Sequence, residues 1–203
     1  MGGAVTNVIR NPEGADHVWT AFSHSGNERN RLFLNRNGSA FSNISGVSGL
    51  DTNKDGRSFV IWDFNKDGRP DIALVNANRP LLNFFENKTM VTEPENQFIA
   101  VRLIGANHSA QASPGKSNRD GIGSRLSIDT GEQKLLRALS AGEGFASQNG
   151  KTMLVGIGKA SQALTVEIIW PSGKRQLVKD VAAGSLVICD ESNGKATIGV
   201  YGQ

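Results

Sequence analysis

Residues 59–75 decide the fold, because two apolar, strand-forming runs flank a polar loop in Phe59-Val60-Ile61-Trp62-Asp63-Phe64-Asn65-Lys66-Asp67-Gly68-Arg69-Pro70-Asp71-Ile72-Ala73-Leu74-Val75. Aromatic and β-branched residues favour extended backbone on both sides, and the glycine between them is typical of a sharp turn. The stretch therefore predicts a strand, a loop over Asp63–Asp71, and a second strand.

The loop has the donor spacing of a metal site. Side-chain oxygens occupy loop positions 1, 3, 5 and 9, at Asp63, Asn65, Asp67 and Asp71, and a glycine stands at position 6. Calcium takes six to eight hard oxygen ligands, and position 7, Arg69, can add its backbone carbonyl. Three carboxylates repel one another in an empty loop and are balanced by a divalent cation. The pattern predicts a Ca²⁺ site at these five residues.

The loop differs from an EF-hand, and a neighbouring acidic loop repeats its pattern only in part. An EF-hand would place a bidentate glutamate at position 12 between two helices, whereas this chain has Leu74 there, and both flanks favour strands. A second loop, Asp51–Phe59, repeats positions 1, 3, 5 and 6 but has Phe59 at position 9. We interpret the second loop as a turn, and whether it binds a second ion stays open.

The rest of the chain alternates apolar and polar residues with the period of a β-strand. Ile99, Val101 and Leu103 share one face, and Leu164, Val166, Ile168 and Trp170 share another. Further predicted strands are 31–35, 59–62, 72–76, 123–129, 153–156 and 186–190. Many short strands separated by Asn-Gly, Asp-Gly and Ser-Gly turns favour an all-β fold.

Composition excludes several classes of function. The net charge is only +3, and its lysines and arginines are scattered singly, so we expect no nucleic-acid partner. No apolar run approaches the ~18 residues of a membrane span, and no signal peptide is visible at residues 1–5. The only cysteine, Cys189, lies in an apolar run, so we expect a buried thiol.

Known catalytic patterns are also missing from the sequence. The three histidines form no HExxH or other spaced ligand set, and there is neither a GxSxG elbow nor a GxxxxGK[ST] loop. Pairs of Asp and Glu that meet only in the fold stay an alternative, since glycosidases use such pairs. We expect no enzymatic activity.

Two sets of motifs resemble known families. Residues 30–35 (Asn-Arg-Leu-Phe-Leu-Asn), 49–51, 55–57 and the Asp63–Asp71 loop resemble FG-GAP (VCBS) repeats. Downstream, residues 118–126, 142–148, 155–158 and the Trp170-Pro171-Ser172-Gly173 turn resemble the ASPIC/UnbV domain. The pair is similar to the cartilage acidic protein-like family. The resemblance implies calcium ligands at Asp63, Asn65, Asp67, Arg69 (carbonyl) and Asp71.

The resemblance also implies an architecture. We expect an FG-GAP/VCBS-like region at 1–90, with a partial blade-like antiparallel sheet, packed with an ASPIC/UnbV-like sandwich or barrel-like domain at 97–191. Residues 192–203 form a tail, either an edge strand or disordered. Residues 132–139 have helical propensity, but the resemblance favours a strand there. For the ASPIC-like glycines and the Trp-Pro-Ser-Gly turn, β-turn geometry and packing are the favoured explanation, and a ligand site is the alternative.

The resemblance finally implies a function and a place. The implied function is that of an interaction or adhesion module that binds protein or glycan. The implied location is secreted, periplasmic or at the cell surface. The alternative is an accessory or catalytic component of a secondary-metabolite or polysaccharide pathway. FG-GAP repeats usually close a propeller, and this chain has about one and a half, so we expect either a fragment or a minimal member whose partial blade packs on the ASPIC-like domain or on another chain. Apolar residues of the partial blade need cover, from the C-terminal domain or by self-association through sheet edges: Phe33, Phe59, Ile61, Trp62, Leu74, Phe84 and Phe85.

Overall fold

A computed structural model describes residues 5–9, 19–23, 28–77, 79–89 and 96–203. These residues form almost entirely β structure, as the alternating sequence predicts. The elements are β1 (Val5–Ile9), β2 (Trp19–Ser23), β3 (Phe33–Asn35), β4 (Phe41–Asn43), α1 (Ser45–Ser48), β5 (Gly56–Trp62), β6 (Asp71–Asn76), β7 (Leu82–Phe85), β8 (Gln97–Ile104), β9 (Arg125–Asp129), β10 (Lys134–Ala138), β11 (Thr152–Gly158), β12 (Gln162–Ile169), β13 (Arg175–Ala182), β14 (Ser185–Asp190) and β15 (Lys195–Val200).

The described residues divide into two compact units. The first takes in those of 1–60, 72–86 and 144–147. The second takes in those of 61–71, 87–143 and 148–203, and it therefore includes the Asp63–Asp71 loop. The predicted boundary at residues 90–97 falls partly on 90–95, which lie outside the described residues.

Two four-stranded sheets form the second unit. One has the order β10-β9-β12-β13, and its strands pair antiparallel. The other has the order β11-β8-β14-β15, with a parallel β8–β14 pair between two antiparallel ones. Side chains from both sheets form one apolar core, which includes Ile99 of β8 and Ile128 of β9. In the part of the chain described, the sheets stay open and do not close into a barrel.

Alternation explains which residues reach this core. Ile99, Val101 and Leu103 of β8 are all buried, as predicted. The prediction for β12 is wrong at one residue: Leu164 is exposed, and its neighbour Ala163 is buried instead. Opposite this point Asp180 of β13 has a φ of +54°, and this left-handed residue interrupts the pairing, since Ala163 and Thr165 have partners in β13 but Leu164 has none.

Two sequence ambiguities resolve as strands. The helix-prone segment 132–139 contains β10, which pairs with β9 through a hairpin, so tertiary pairing overrides helical propensity. In the tail, β15 forms the outer strand of its sheet beside β14. The tail is therefore an edge strand, one of the two predicted alternatives.

The first unit contains smaller sheets, and among its residues whose burial is described few apolar side chains are buried. The pairs β1-β2 and β3-β4 form separate two-stranded sheets, and β5-β6-β7 forms a three-stranded sheet. Of the apolar residues that need cover, Leu74 is buried and Trp62 and Phe85 are half-buried. Phe33, Phe59, Ile61 and Phe84 are exposed.

Candidate functional site

The loop from β5 to β6 is organised by hydrogen bonds from its own backbone. The Asp63 carboxylate accepts from the amides of Asp67 (3.1 Å) and Gly68 (2.7 Å). The side-chain oxygen of Asn65 accepts from the Asp67 amide at 3.1 Å, and Asp67 accepts from the Arg69 amide at 2.9 Å. Short polar side chains that accept from amides two residues later form tight turns. The Asp and Asn side chains of the loop therefore hold its backbone in tight turns.

Asp71 closes the loop from a buried position. It is 1% exposed, and its two carboxylate oxygens accept from the backbone amides of Phe64 (3.0 Å) and Asn87 (2.7 Å). The Asn87 side chain also donates to the carbonyl of Pro70 at 3.2 Å. Asp71 thus ties the start and end of the loop to the segment after β7, a contact that the sequence pattern did not predict.

Arg69, whose carbonyl is a predicted ligand, also places a cation beside a carboxylate of the loop. Its guanidinium lies 2.8 Å from the Asp67 carboxylate. Burial alone would raise the pKa of Asp67, but hydrogen bonds from the Arg69 amide and the Asn65 side chain, with the charge of Arg69, lower it below the ordinary value. Asp67 is therefore held as a carboxylate, the form that a metal ion needs.

The donor set fits calcium, although the carboxylates do not converge on a point. Within the described ranges, no three His, Cys, Asp or Glu side chains are gathered at metal-binding spacing. Each carboxylate oxygen has two lone pairs, and the amide bonds of Asp63 and Asp71 use one on each oxygen. Asp71 keeps one lone pair per oxygen for a hard cation, whereas Asp63 keeps one in total because it also accepts from the Tyr201 hydroxyl. The Asn65 oxygen adds a neutral donor.

The loop packs on Phe98, which in turn packs on Tyr201; we call these two aromatic residues, distant from the loop in sequence, the aromatic seat. Gly68 has a φ of +84°, and a β-carbon at this position would lie 2.1 Å from the Phe98 ring. Phe98 in turn packs edge-to-face on Tyr201, with ring centroids 5.6 Å apart. Only glycine combines this backbone conformation with so close an approach. Gly68 is thus required by packing as well as by the turn.

Tyr201 connects the seat to the acidic side chains. Burial, and then the charge of Asp63 and a hydrogen bond to it, raise the pKa of Tyr201 to about 12. The phenol therefore stays protonated and donates to Asp63. Next to it, a β-carbon on Gly202 would lie 3.0 Å from the carbonyl of Lys66. The one signal that could have identified this contact is that Tyr201 is the only tyrosine of the chain.

The second acidic loop is organised differently. Asp55 is buried, and its carboxylate lies 2.6 Å from the guanidinium of Arg57. Asp51 is paired with Arg29 at 3.1 Å. In this loop arginines already neutralise both aspartates, and Phe59 is part of β5. The arrangement agrees with a turn held by ion pairs.

A buried glutamate, Glu191, organises the ASPIC-like motifs. It accepts from the amides of Ala106 (2.7 Å) and Ser117 (2.9 Å) and from the hydroxyls of Ser117 (2.8 Å) and Ser172. Burial would raise the pKa of Glu191, but these hydrogen bonds outweigh it and lower the pKa. Gly121, at a φ of +67°, lies close under Leu103 and the Trp170 ring. These contacts explain the Trp-Pro-Ser-Gly turn and the first glycine motif by packing, as expected.

The core thiol takes no part in a site. Cys189 is fully buried in the core, as predicted, and burial raises its pKa to about 12. A thiol in this state is a poor nucleophile and a poor metal ligand, because both roles need the thiolate.

The second unit also contains an open groove of about 590 Å³. All of its lining residues belong to this unit. They include Asp63 and Lys66 of the loop, Asp120 of the first ASPIC-like motif, and Glu143 and Gln148 of the second. We refer to it as the basic groove, since Lys66, Arg102, Arg137 and Lys151 line it. The sequence did not predict it, because its residues come from distant segments.

No helix in the described residues is long and apolar enough to cross a bilayer.

Comparison with known proteins agrees with the sequence motifs. Residues 15–74 match the family described as FG-GAP-like repeat, and residues 114–196 match the family described as ASPIC and UnbV. The first match covers the loop through Asp71, and the second covers β9 to β14. No curated protein matches the chain. The chain contains an FG-GAP-like repeat followed by an ASPIC and UnbV domain.

Proposed function

We propose that the chain is a calcium-binding, non-enzymatic interaction module that works in a secreted, periplasmic or cell-surface protein. The observation that carries the proposal is the Asp63–Asp71 loop, whose Asp and Asn oxygens accept hydrogen bonds from the loop's own amides. Asp63, Asn65, Asp67, Asp71 and the carbonyl of Arg69 would hold the ion. Calcium would supply charge neutralisation and rigidity there.

The seat of the loop supports a structural role for the ion. Phe98 belongs to β8, which contributes Ile99 to the core, and Tyr201 follows β15. A loop made rigid by an ion would hold these segments together. Calcium is therefore expected to stabilise the domain that presents the interaction surface.

Calorimetric titration with calcium of two variants tests the site. Asp67→Ala is expected to abolish binding, because it removes the carboxylate at loop position 5. The matched control is Asp51→Ala, which removes a carboxylate from the second loop at a partly exposed position and should leave binding unchanged. Equal losses in both variants would mean that the second loop binds as well, and unchanged binding in Asp67→Ala would overturn the assignment.

Exposed aromatic side chains support an interaction role. Phe33, Phe41 and Phe59 of the first unit are 53%, 66% and 50% exposed. Aromatic residues are enriched at protein interfaces, and β15 offers an outer strand that can pair with another chain. We propose a protein partner or a second copy at these surfaces. Light scattering over a range of concentrations, on wild type and on Phe41→Ser, tests self-association, and a concentration-independent monomer would contradict it.

One observation favours the catalytic alternative, since Asp120 and Glu143 both line the basic groove. A glycosidase needs one carboxylic acid with a raised pKa. A hydrogen bond from Arg119, then one from Lys151, lowers the pKa of Asp120, and Glu143 accepts from Asn149. The groove is therefore better suited to binding than to acid catalysis.

A further inference from the structure

The basic groove has the size and position of a ligand site. Its volume of about 590 Å³ lies within the range of about 300–1,000 Å³ that is usual for ligand pockets. Val101 and Leu103 face the core, so Arg102 between them faces away from it. Thr152 of β11 pairs with Arg102 and shares this outer face. One wall of the groove is thus a rigid sheet face.

The acidic side chains of the groove are already satisfied by protein donors. Asp120 lies 2.7 Å from Lys151 and 3.1 Å from Arg119. Glu143 accepts from the Asn149 side chain, and Asp63 accepts from amides of its own loop. Asp120 and Glu143 are therefore paired within the protein, and Asp63 belongs to the proposed calcium loop, so none of the three is left for a cationic ligand of the groove.

Three of the four basic side chains, in contrast, lack acidic partners, whereas Lys151 is paired with Asp120. In the residues that the structure covers, Lys66 and Arg102 make no side-chain ion pair or hydrogen bond, and the Arg137 guanidinium donates only to the carbonyl of Leu136, at 2.8 Å. Guanidinium groups bind carboxylates through two parallel hydrogen bonds. The charge of the groove therefore fits a ligand that carries carboxylates.

Neutral groups of the groove fit a polyhydroxylated ligand. The side chains of Ser140, Gln148 and Thr152 line it and make no hydrogen bond within the described ranges. Hydroxyl and amide groups both donate and accept, as sugar hydroxyls require, and Trp62 adds an aromatic surface. An extended peptide would instead be recognised by an open sheet edge with pockets for alternate side chains.

We propose that the basic groove binds an acidic saccharide, with sugar carboxylates held by Arg102 and Arg137 and hydroxyls held by Ser140, Gln148 and Thr152. This inference rests on the proposed interaction function and names the ligand class for the second unit. Lys66 adds positive charge at the end of the groove formed by the calcium loop.

The test is a titration of the isotope-labelled full chain, followed by NMR. The probe is a β-1,4-linked tetramer of glucuronic acid, and cellotetraose, which has a neutral hydroxymethyl group in place of each carboxylate, is the matched neutral sugar. The acidic tetramer is expected to shift the amide signals of groove residues and to bind at least about tenfold more tightly than cellotetraose. Equal binding of both sugars, absence of binding, or shifts confined to other residues would overturn the proposal.

Variants and a peptide sharpen the result. Arg102→Gln with Arg137→Gln should weaken binding of the tetramer about tenfold or more. Arg175→Gln, an exposed arginine on β13 paired with Glu167 at 2.9 Å, should not change it. A tetraglutamate peptide should bind more weakly than the sugar, and equal binding would overturn the saccharide assignment.

Calcium titration of the same samples separates this inference from the proposed calcium site. Calcium binding without saccharide binding would overturn only the groove proposal. Saccharide binding without calcium binding would overturn the calcium site and support the groove.

Discussion

The two units of the chain are stabilised by different kinds of contact. In the second unit, side chains from two sheets form an apolar core in which Ile99, Val166 and Val187 are fully buried. In the first, the buried side chains of the described residues are mainly polar, such as Ser45 and Asn76. The Ser45 hydroxyl accepts a hydrogen bond from the amide of Leu32 at 2.8 Å, and the Asn76 side chain donates one to the carbonyl of Pro80 at 2.7 Å.

The difference indicates where stability originates. Burial of apolar area drives folding, whereas a buried hydrogen bond contributes a net of only about 0.5–1.5 kcal/mol. The ASPIC and UnbV domain therefore carries most of the stability of the described residues. The described part of the first unit gains less from apolar burial.

Truncation of the core gives the largest expected effect. Ile128→Ala, at a fully buried position, should lower the free energy of unfolding by about 2–5 kcal/mol, because it removes buried methyl groups and leaves a cavity. Phe59→Ala, at a half-exposed position of β5, should cost about 1 kcal/mol or less. Urea unfolding followed by tryptophan fluorescence measures both. Similar losses of unfolding free energy in the two variants would contradict the claim that the second unit carries most of the stability.

Alanine at the aromatic seat gives an intermediate effect. Gly68→Ala places a methyl group in the Phe98 ring. Gly173 has a similar φ of +89°, but a β-carbon added there would have no atom within 4 Å, so Gly173→Ala is the matched control. Both changes strain the backbone by about 1 kcal/mol, but only the first overpacks, at a further cost of about 1–3 kcal/mol. Thermal unfolding of the two variants isolates the packing contribution. Equal midpoints would show that the loop is not held on Phe98.

The smallest expected effect concerns Glu191, a buried charged residue of the second unit. Hydrogen bonds from Ser172, Ala106 and Ser117 hold the pKa of Glu191 below its ordinary value of 4.5. Its stabilising contribution is therefore complete above that value and is lost as the pH falls through the lower pKa of the folded state. Glu191→Gln removes this titration. Unfolding curves from pH 6 to pH 3 should show the wild type losing stability relative to the variant, and parallel profiles would contradict the assignment.

Much of the fold could be predicted from local sequence. The alternation of β8 and the burial of Cys189 follow from the side-chain period and the apolar run around the cysteine. For the tail, the observed edge strand was one of two predicted alternatives. Errors arose where one residue changed the geometry: Asp180, with its positive φ, reverses the expected burial of Leu164. For β10, local propensity favoured a helix, and only pairing with β9 made it a strand.

The candidate site was less predictable than the fold. The donor oxygens of the loop lie within nine residues and could be identified by spacing. Its supporting contacts, from Phe98, Tyr201 and Asn87, come from elsewhere in the chain. The basic groove likewise joins distant segments, and neither Arg102 nor Arg137 lies in a local motif. Such contacts depend on the tertiary fold and leave no periodic signal.

Thermal unfolding with calcium and with excess chelator tests the central claim most directly. If the Asp63–Asp71 loop binds calcium, the ion at ~100 times its dissociation constant adds about 2.7 kcal/mol, which raises the midpoint by roughly 5–10 °C for a chain of this size. Asp67→Ala should melt at the same temperature in both buffers. A wild-type midpoint that does not change between calcium and chelator, with metal-free protein verified by elemental analysis, would contradict the claim.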